Sequence, residues 1–151
     1  METITTLGKI TTEGDLLIPG IVVAGNNPRT LVVRAVGPGL SDFGLSSDAL
    51  LGDPRISILT TVNGNSQTVA TNNNWTQGDA ATLNAVFPAV GAFALKPANG
   101  DAAMVNALAP GTYTLQAGAQ AVPAAAGGQT ATTTDAPNQV GSVLVEVYEV
   151  P

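Results

Sequence analysis

Apolar residues along this chain occur in short runs of Val, Ile, Leu and Thr, and these runs are separated by Gly, Pro and Asn. Such punctuation predicts many short β-strands joined by turns. We expect strands at residues 3–10, 16–24, 30–36, 55–61, 67–71, 92–95, 101–108, 112–117 and 142–150. In the last strand, Val143, Val145 and Val147 are predicted to face one side of the sheet, and the residues between them the other side.

Three turn signals connect predicted strands. The segment Asn26-Asn27-Pro28 predicts a turn that joins the second and third strands into a hairpin, since Asn tolerates left-handed backbone and Pro fixes φ. Asn63-Gly64-Asn65 is the strongest hairpin signal, because Asn-Gly supplies the positive φ of a type I′ turn. Ala109-Pro110-Gly111 is predicted to join two further antiparallel strands. The first hairpin is strongly apolar, which predicts a cover on both faces, from a second sheet or from a neighbouring subunit.

Helical spacing of apolar residues is clear at residues 79–90, where we expect one short helix. Residues 40–51 are expected to form a loop with a short helical turn, and residues 118–140 a long loop of low complexity. A chain of 151 residues fits one domain. The sequence therefore predicts a single all-β domain over residues 1–151, an antiparallel β-sandwich with jelly-roll or Greek-key connectivity and one short helix.

Composition narrows the function classes. The chain contains no Cys and no His, which excludes disulfides and thiolate metal sites and removes the usual general base near neutral pH. Its five cations are scattered and its net charge is −6, which argues against binding to nucleic acid or to an anionic membrane. No apolar run is long enough to cross a bilayer, and the polar start does not resemble a signal peptide. Three interpretations stay open: a signal removed before residue 1, a cytoplasmic chain, or export by another route.

Several stretches, taken in chain order, carry a resemblance to a known family. They are residues 17–23, residues 28–38 with Arg34-Ala35-Val36-Gly37-Pro38, residues 43–45, Asp53-Pro54, an Asn-rich stretch ending at Trp75, and residues 91–95, 101–103, 110–114 and 143–148. Together they resemble a β-sandwich repeat module of large secreted and surface proteins of environmental bacteria. The later half also resembles pre-peptidase C-terminal-type domains, which are jelly-roll sandwiches appended to secreted enzymes. The resemblance implies an extracellular or cell-surface location and a structural or adhesive role, with no catalytic residues to carry over.

Acidic residues are the candidates for metal binding and catalysis. Asp53, Asp79 and Asp101 lie in predicted turns, where their oxygen atoms could converge on calcium. Turn formation and helix capping explain the same residues, and we prefer that interpretation. Without His, a serine nucleophile has no neighbouring base, and no acidic pair lies in a recognisable motif. We therefore expect no enzymatic activity and no cofactor.

A few further side chains carry predictions of their own. Trp75, the single Trp, is expected to fill the edge of the sandwich beside the helix rather than to form a sugar-binding platform. Arg29 and Arg34 begin and interrupt an apolar strand, and a buried Arg must be paired, so we predict ion pairs with Asp42 or Asp53. A Thr cluster on the long loop is interpreted as a solvated spacer, with attached glycan as the alternative; it consists of Thr130, Thr132, Thr133 and Thr134.

The first residues of the chain carry the sharpest hypothesis. Segment 1–12 is polar, Thr-rich and strand-prone, so it either forms the first strand of its own sheet or adds to the edge of a neighbour's sheet. The leading hypothesis is an extracellular structural subunit that self-associates through strand edges, into a filament or surface layer. The predicted interface consists of Thr3, Ile4, Thr5, Leu7, Ile10, Val143, Val145 and Val147. The alternatives are a monomeric module that binds carbohydrate or a cell-surface partner, and a viral capsid or tail subunit.

Overall fold

The computed structural model describes residues 2–120 and 138–151. Within these ranges the chain forms eight β-strands, one α-helix and three short 3-10 helices. The strands are β1 (Thr3–Ile10), β2 (Gly20–Val23), β3 (Arg29–Val36), β4 (Pro54–Val62), β5 (Asn65–Asn72), β6 (Ala102–Leu108), β7 (Gly111–Ala119) and β8 (Gly141–Glu149). The helix is α1 (Ala80–Val90), and the 3-10 helices are Pro38–Phe43, Ser47–Ala49 and Trp75–Gln77.

The strands form two antiparallel sheets of four strands each. Sheet A has the order β1-β8-β3-β6, and sheet B has the order β2-β7-β4-β5. Successive strands lie in different sheets, except for β4 and β5, which are neighbours. This is the connectivity of an eight-stranded jelly roll. The predicted all-β sandwich with one short helix is confirmed.

Local signals located two elements well. Asn63 and Gly64 have φ values of 51° and 79°, so the turn between β4 and β5 has the predicted positive φ at both central positions. Asp79 is the N-cap of α1 and accepts the Thr82 amide, while Gly91 ends the helix with a left-handed φ of 77°. Both elements are specified within a few residues of sequence, because turn and cap geometry depend on local backbone preferences.

Three expectations about strands are wrong. β2 and β3 lie in different sheets, as do β6 and β7, so neither pair forms the predicted hairpin. A turn signal marks a reversal of the chain but does not specify which sheet the next strand joins. Residues 92–95 form no strand; Ala92 and Leu95 are buried in irregular chain, which a short apolar run also permits.

The second predicted strand is much shorter than residues 16–24. Only Gly20–Val23 form β2, and Leu17 pairs with Ala117 as an isolated bridge. Pro19 lies between them and accepts the Leu115 amide through its carbonyl group. Because Pro19 has no N–H to donate to β7, the ladder of hydrogen bonds is interrupted there.

Two apolar clusters hold the sandwich. The inner cluster lies between the sheets and includes Val33, Ile56, Leu115 and Val145. The outer cluster covers the other face of sheet A, where α1 and the chain around it pack on β3. β3 is therefore covered on both faces, as predicted, by the second sheet on one side and the helix on the other. The same prediction is wrong for β2, where Gly20 and Val22 are exposed. None of the helices in the described ranges has the length and apolar character needed to cross a bilayer.

We predict that Gly64→Ala lowers the free energy of unfolding by about 1–2 kcal/mol, since an L-residue at a φ of 79° is strained. The matched control is Gly20→Ala in β2, where the nearest atom to an added Cβ lies 4.0 Å away. That variant should stay within about 0.5 kcal/mol of the wild type. Urea unfolding measures both, and equal stability of the two variants would contradict the assignment of the turn.

Candidate functional site

The candidate site is the outer edge of β1. On one side, β1 pairs with β8 in a register that runs from Thr3 opposite Tyr148 to Ile10 opposite Gly141. On its other side no described strand lies beside it. β-branched Thr and Ile favour the extended backbone, although every side chain from Thr3 to Leu7 is exposed. Pairing of the backbone with β8, rather than burial of side chains, therefore holds most of β1 in place.

Backbone polar groups line this outer edge. The Glu149 amide donates to the Glu2 carbonyl group over 3.0 Å, which makes Glu2 and Glu149 a hydrogen-bonded pair. Along an antiparallel ladder, hydrogen-bonded pairs alternate with pairs that are not hydrogen-bonded. The even-numbered residues of β1 consequently direct their backbone groups at β8. The odd-numbered residues direct an N–H and a C=O away from the sheet; they are Thr3, Thr5, Leu7 and Lys9.

The other sheet edges of the described structure are shorter or obstructed. β2 has only four residues. β5 carries a register shift opposite Ile58 and Leu59, and such a bulge disturbs the regular edge that another strand would need. In β6, the outward Ala103 amide donates to Asn72 Oδ1 over 3.1 Å, and α1 packs nearby. β1 is thus the long, regular and uncovered edge within the described ranges, the kind that another chain can pair with.

Exposed apolar side chains concentrate beside this edge. Ile4 and Leu7 of β1 are 46% and 61% exposed. Ile18, just before β2, is 59% exposed, and Val22 in β2 is 71% exposed. They make up four of the eight large apolar side chains that are exposed in the described ranges. β1 and the chain before β2 lie against each other, because the Leu17 side chain occupies the space above Gly8. One side of the sandwich therefore offers apolar surface next to backbone groups that no described strand pairs with.

A groove opens between the two sheets on this side. Its volume is about 220 Å³, and it is lined by residues that include Ile4, Ile21 and Leu31. Arg29 and Glu149 lie at the groove and form an ion pair with 2.9 Å between Nη1 and Oε1. Pockets for small molecules usually have roughly 300–1,000 Å³, so this groove suits one or two inserted side chains better than a separate substrate.

The predicted interface residues fall into two groups. Thr3, Ile4, Thr5 and Leu7 are exposed on β1. Ile10 and the valines of β8 are buried in the inner cluster of their own chain; these valines are Val143, Val145 and Val147. The alternation predicted for β8 is correct, but its inward face is already occupied by sheet B. Only an exchange of whole strands would bring these buried side chains to a second chain.

Calcium is not supported by the placement of the candidate acids. Asp79 Oδ1 accepts the Thr82 amide over 3.1 Å and Oδ2 accepts the Thr82 hydroxyl over 2.5 Å, and these bonds lower the pKa of Asp79. This is the predicted capping role. Burial raises the pKa of Asp53. The described residues contain no group of three or more acidic side chains that could hold a metal ion, so Asp53, Asp79 and Asp101 form no shared site.

Asp101 has a structural position in a turn. It is fully buried, and its Oδ1 accepts the amides of Gly37 and Gly39 over 2.9 and 3.2 Å. An added Cβ on Gly39 would lie 2.7 Å from Oδ2 of the same carboxyl group. Burial raises the pKa of Asp101, and the two backbone hydrogen bonds oppose that shift. The carboxyl group therefore fastens the turn after β3 to the start of β6.

Trp75 is 1% exposed and lies in the outer cluster, with its ring centre 6.1 Å from that of Phe87 on α1. Its indole N–H donates to the Lys96 carbonyl group over 3.3 Å. The prediction that Trp75 packs beside the helix is confirmed, and its ring is not available as a sugar-binding platform.

The predicted partners of the two arginines are wrong. Arg34 is fully buried, and its Nε and Nη2 lie 2.7 and 2.5 Å from Glu146 Oε2. Arg29 pairs with Glu149, and Asp42 pairs with Lys96. The register of β3 against β8 places Arg34 directly opposite Glu146. Sequence reasoning missed this pair. The signal was present, because Glu146 interrupts the apolar β8 as Arg34 interrupts β3, and a buried charge requires a partner of opposite charge.

The ion pair is part of a buried cluster on the outer face of sheet A. Arg34 Nη1 donates to the Phe93 carbonyl group over 2.6 Å, and the guanidinium carbon of Arg34 lies 4.2 Å from the centre of the Phe93 ring. The Tyr148 hydroxyl donates to Glu146 Oε1 over 2.7 Å. Burial, and then the neighbouring Glu146 carboxylate, raises the pKa of Tyr148 to about 12. These contacts join β3, β8 and the chain after α1.

Comparisons with known proteins add no assignment. No family model matches the chain, and neither a curated protein nor a solved structure matches it. The expected glycan positions Thr130, Thr132, Thr133 and Thr134 lie outside the described residues.

We predict that Glu146→Ala lowers the free energy of unfolding by about 3–5 kcal/mol, because it leaves the buried Arg34 charge without its partner. The control is Asp42→Ala, which breaks an exposed ion pair with Lys96 and should cost at most about 1 kcal/mol. Denaturant unfolding measures both. Similar losses in the two variants would contradict a special role for the buried pair.

We predict a pH-dependent stability difference between the wild type and Asp101→Asn. Burial raises the pKa of Asp101 in the folded state, so the folded chain binds the proton more tightly than the unfolded chain. The contribution of this carboxyl group to stability is therefore complete below about pH 3.9 and is lost as the pH rises through the folded pKa. The unfolding free energy of the wild type minus that of the variant should rise when the pH is lowered from 7 to 4.

Asp79→Asn provides the opposite control for this measurement. The pKa of Asp79 is lowered by its bonds to Thr82, so its contribution is present above about pH 3.9 and is lost at lower pH. The corresponding difference should stay level down to about pH 4 and shrink below it, so both comparisons are continued to about pH 2. A flat profile for Asp101→Asn, or slopes of the same sign in both comparisons, would refute the assignment.

Proposed function

We propose that this chain is a structural subunit that self-associates through the outer edge of β1, and that it does so outside the cell as part of a filament or surface layer. The observation that carries the proposal is the backbone of β1, whose outward N–H and C=O groups at Thr3, Thr5, Leu7 and Lys9 have no described strand beside them. Main-chain pairing of this kind supplies affinity between sheets of separate chains.

The surroundings of the edge support the same proposal. Ile4, Leu7, Ile18 and Val22 expose apolar surface on both sides of the unpaired backbone. An added strand would cover part of that surface and would complete the ladder in one step. Monomeric proteins usually protect such an edge with charges, prolines or bulges, and β1 carries Lys9 as its single charged residue.

A non-enzymatic role agrees with the use of the acidic side chains. Asp79 caps a helix, Asp101 fastens a turn, and Glu146 neutralises a buried arginine. Each of these groups has a structural partner within the fold. The resemblance of the sequence to modules of secreted and surface proteins supports the extracellular part of the proposal.

The strength of one such contact is modest. A hydrogen bond contributes about 0.5–1.5 kcal/mol net, so a short ladder of bonds with a small apolar contact gives weak pairwise affinity. Repeated contacts in a filament or layer would raise the overall stability, because each further contact forms at high effective concentration. Weak pairing at this edge therefore suits one of several contacts in a structural assembly.

A monomeric carbohydrate-binding module is the second candidate. A shallow depression of about 650 Å³ on the outer face of sheet B favours it, since hydroxyl and amide side chains line that surface; they include Thr61, Ser66, Thr112, Thr114 and Gln116. No aromatic ring lines the depression, and Trp75 is buried elsewhere. The jelly-roll connectivity also agrees with a viral capsid or tail subunit, but no contact among the described residues favours that function.

We predict that Thr5→Pro weakens self-association about tenfold or more. Proline removes an outward N–H and places its ring where the neighbouring strand must lie, while the bonds to β8 stay intact. Each contact between two copies then loses at least one hydrogen bond and the close approach of the strands, and 1.4 kcal/mol corresponds to tenfold in affinity. Sedimentation velocity over a concentration series, up to roughly 1 mM, gives the association constant.

The matched control is Ser66→Pro on the edge of β5. The pair that flanks the two-residue turn is hydrogen-bonded, so the next residue, Ser66, directs its N–H outward as Thr5 does. This variant should associate like the wild type. A wild-type chain that stays monomeric throughout the series, or equal effects of the two prolines, would remove the proposal.

A further inference from the structure

The outward backbone groups of β1 complement those of a second β1. In an antiparallel pair, two residues that face each other with outward groups exchange two hydrogen bonds, so odd-numbered residues must oppose odd-numbered residues. A register centred on Thr6 sets Thr3 against Lys9 and Thr5 against Leu7 of the other copy. That register engages all four outward residues of both strands. Registers centred on Thr5 or Leu7 leave an outward residue of β1 without a partner inside the strand.

We propose that the β1 edge pairs with β1 of a second copy of this chain, antiparallel and about a two-fold axis that passes beside Thr6. The inference rests on the proposed function and specifies its partner, register and symmetry. Two copies of sheet A then join into one continuous sheet of eight strands, with the two β1 strands at its centre.

Charge favours the antiparallel arrangement. Lys9 is the one charged residue within β1, near its end. Parallel, in-register pairing would place the Lys9 side chains of both copies beside each other, and adjacent like charges are unfavourable. The antiparallel register places the two Lys9 residues at opposite ends of the contact, and each faces the neutral Thr3 of the other copy.

Side chains on both faces of β1 also fit this register. On the outer face, Leu7 lies opposite Thr5 of the other copy and diagonal to the second Leu7, within reach of long side chains. On the inner face, Ile4 lies opposite Gly8 of the other copy. An added side chain on Gly8 would collide with Leu17 of its own chain, so Leu17 fills that space and meets the incoming Ile4. The glycine in the strand thus makes room for an apolar contact between copies.

The symmetry of this contact has a structural consequence. A two-fold contact uses the same surface on both copies and is closed, so it yields a dimer and no longer chain. A filament or layer built from this protein therefore consists of dimers joined by a second contact at another surface. The outer strands of the joined sheet are the two β6 strands, whose Ala103 amides are already bonded to Asn72.

Single cysteines test the register directly, because the natural chain has no Cys. Thr5→Cys, Thr6→Cys and Leu7→Cys place one thiol each on exposed positions of β1, and Thr68→Cys on the exposed edge strand β5 is the matched control. In the proposed register the two Thr6 positions form a non-hydrogen-bonded pair with Cα atoms about 4.5 Å apart, which a disulfide can span. Mild oxidation at associating concentrations, followed by non-reducing electrophoresis, measures the covalent dimer.

We expect Thr6→Cys to form the covalent dimer at least about tenfold faster than Thr68→Cys, and a mixture of Thr5→Cys with Leu7→Cys to form more mixed dimer than either variant forms alone. Fastest dimerisation of Thr5→Cys or Leu7→Cys by itself would overturn the register. Association that is sensitive to Thr5→Pro, without preferential cross-linking at any of the three β1 positions, would overturn the two-fold contact and leave the proposed function standing. Absence of association would remove both.

Discussion

Insertion of β8 between β1 and β3 is the constraint on which the surface of this protein depends. The last strand of the described chain hydrogen-bonds on both of its edges and is packed on both of its faces, with valines toward sheet B and Glu146 and Tyr148 toward α1. Such a strand has no backbone group left for a partner. β1 lies outside β8. One edge of β1 is bonded to β8, no described strand lies at its other edge, and most of its side chains are exposed.

The strands behind β1 are packed on both faces, whereas β1 is held mainly by its backbone pairing with β8. Sheet A is covered by sheet B on one face and by α1 with its buried Arg34–Glu146 pair on the other. Those contacts fix the positions of β3 and β8, and β8 in turn fixes the line along which β1 lies. An edge presented on a fixed support loses little conformational freedom when a partner binds, which keeps the cost of association low.

Polar chemistry in the described part of this molecule serves the fold. The carboxyl groups of Asp79, Asp101 and Glu146 each bind backbone amides, a hydroxyl or a guanidinium group within the chain. The described features that remain available to a partner include the backbone groups and apolar side chains on the side of β1 and β2, and the hydroxyl and amide side chains on the outer face of sheet B.

The sequence by itself determined most of the strands, the Asn63-Gly64 turn, the Asp79 cap and the sandwich class, because these follow from residue preferences over a few neighbouring positions. It also located β1 and the alternation of β8. Only the tertiary structure decided that β2 and β3 separate into different sheets, that β1 is an edge, and that Arg34 meets Glu146 across a sequence separation of 112 residues. Strand order and register arise from packing between distant segments, and no local pattern encodes which of several apolar strands will lie side by side.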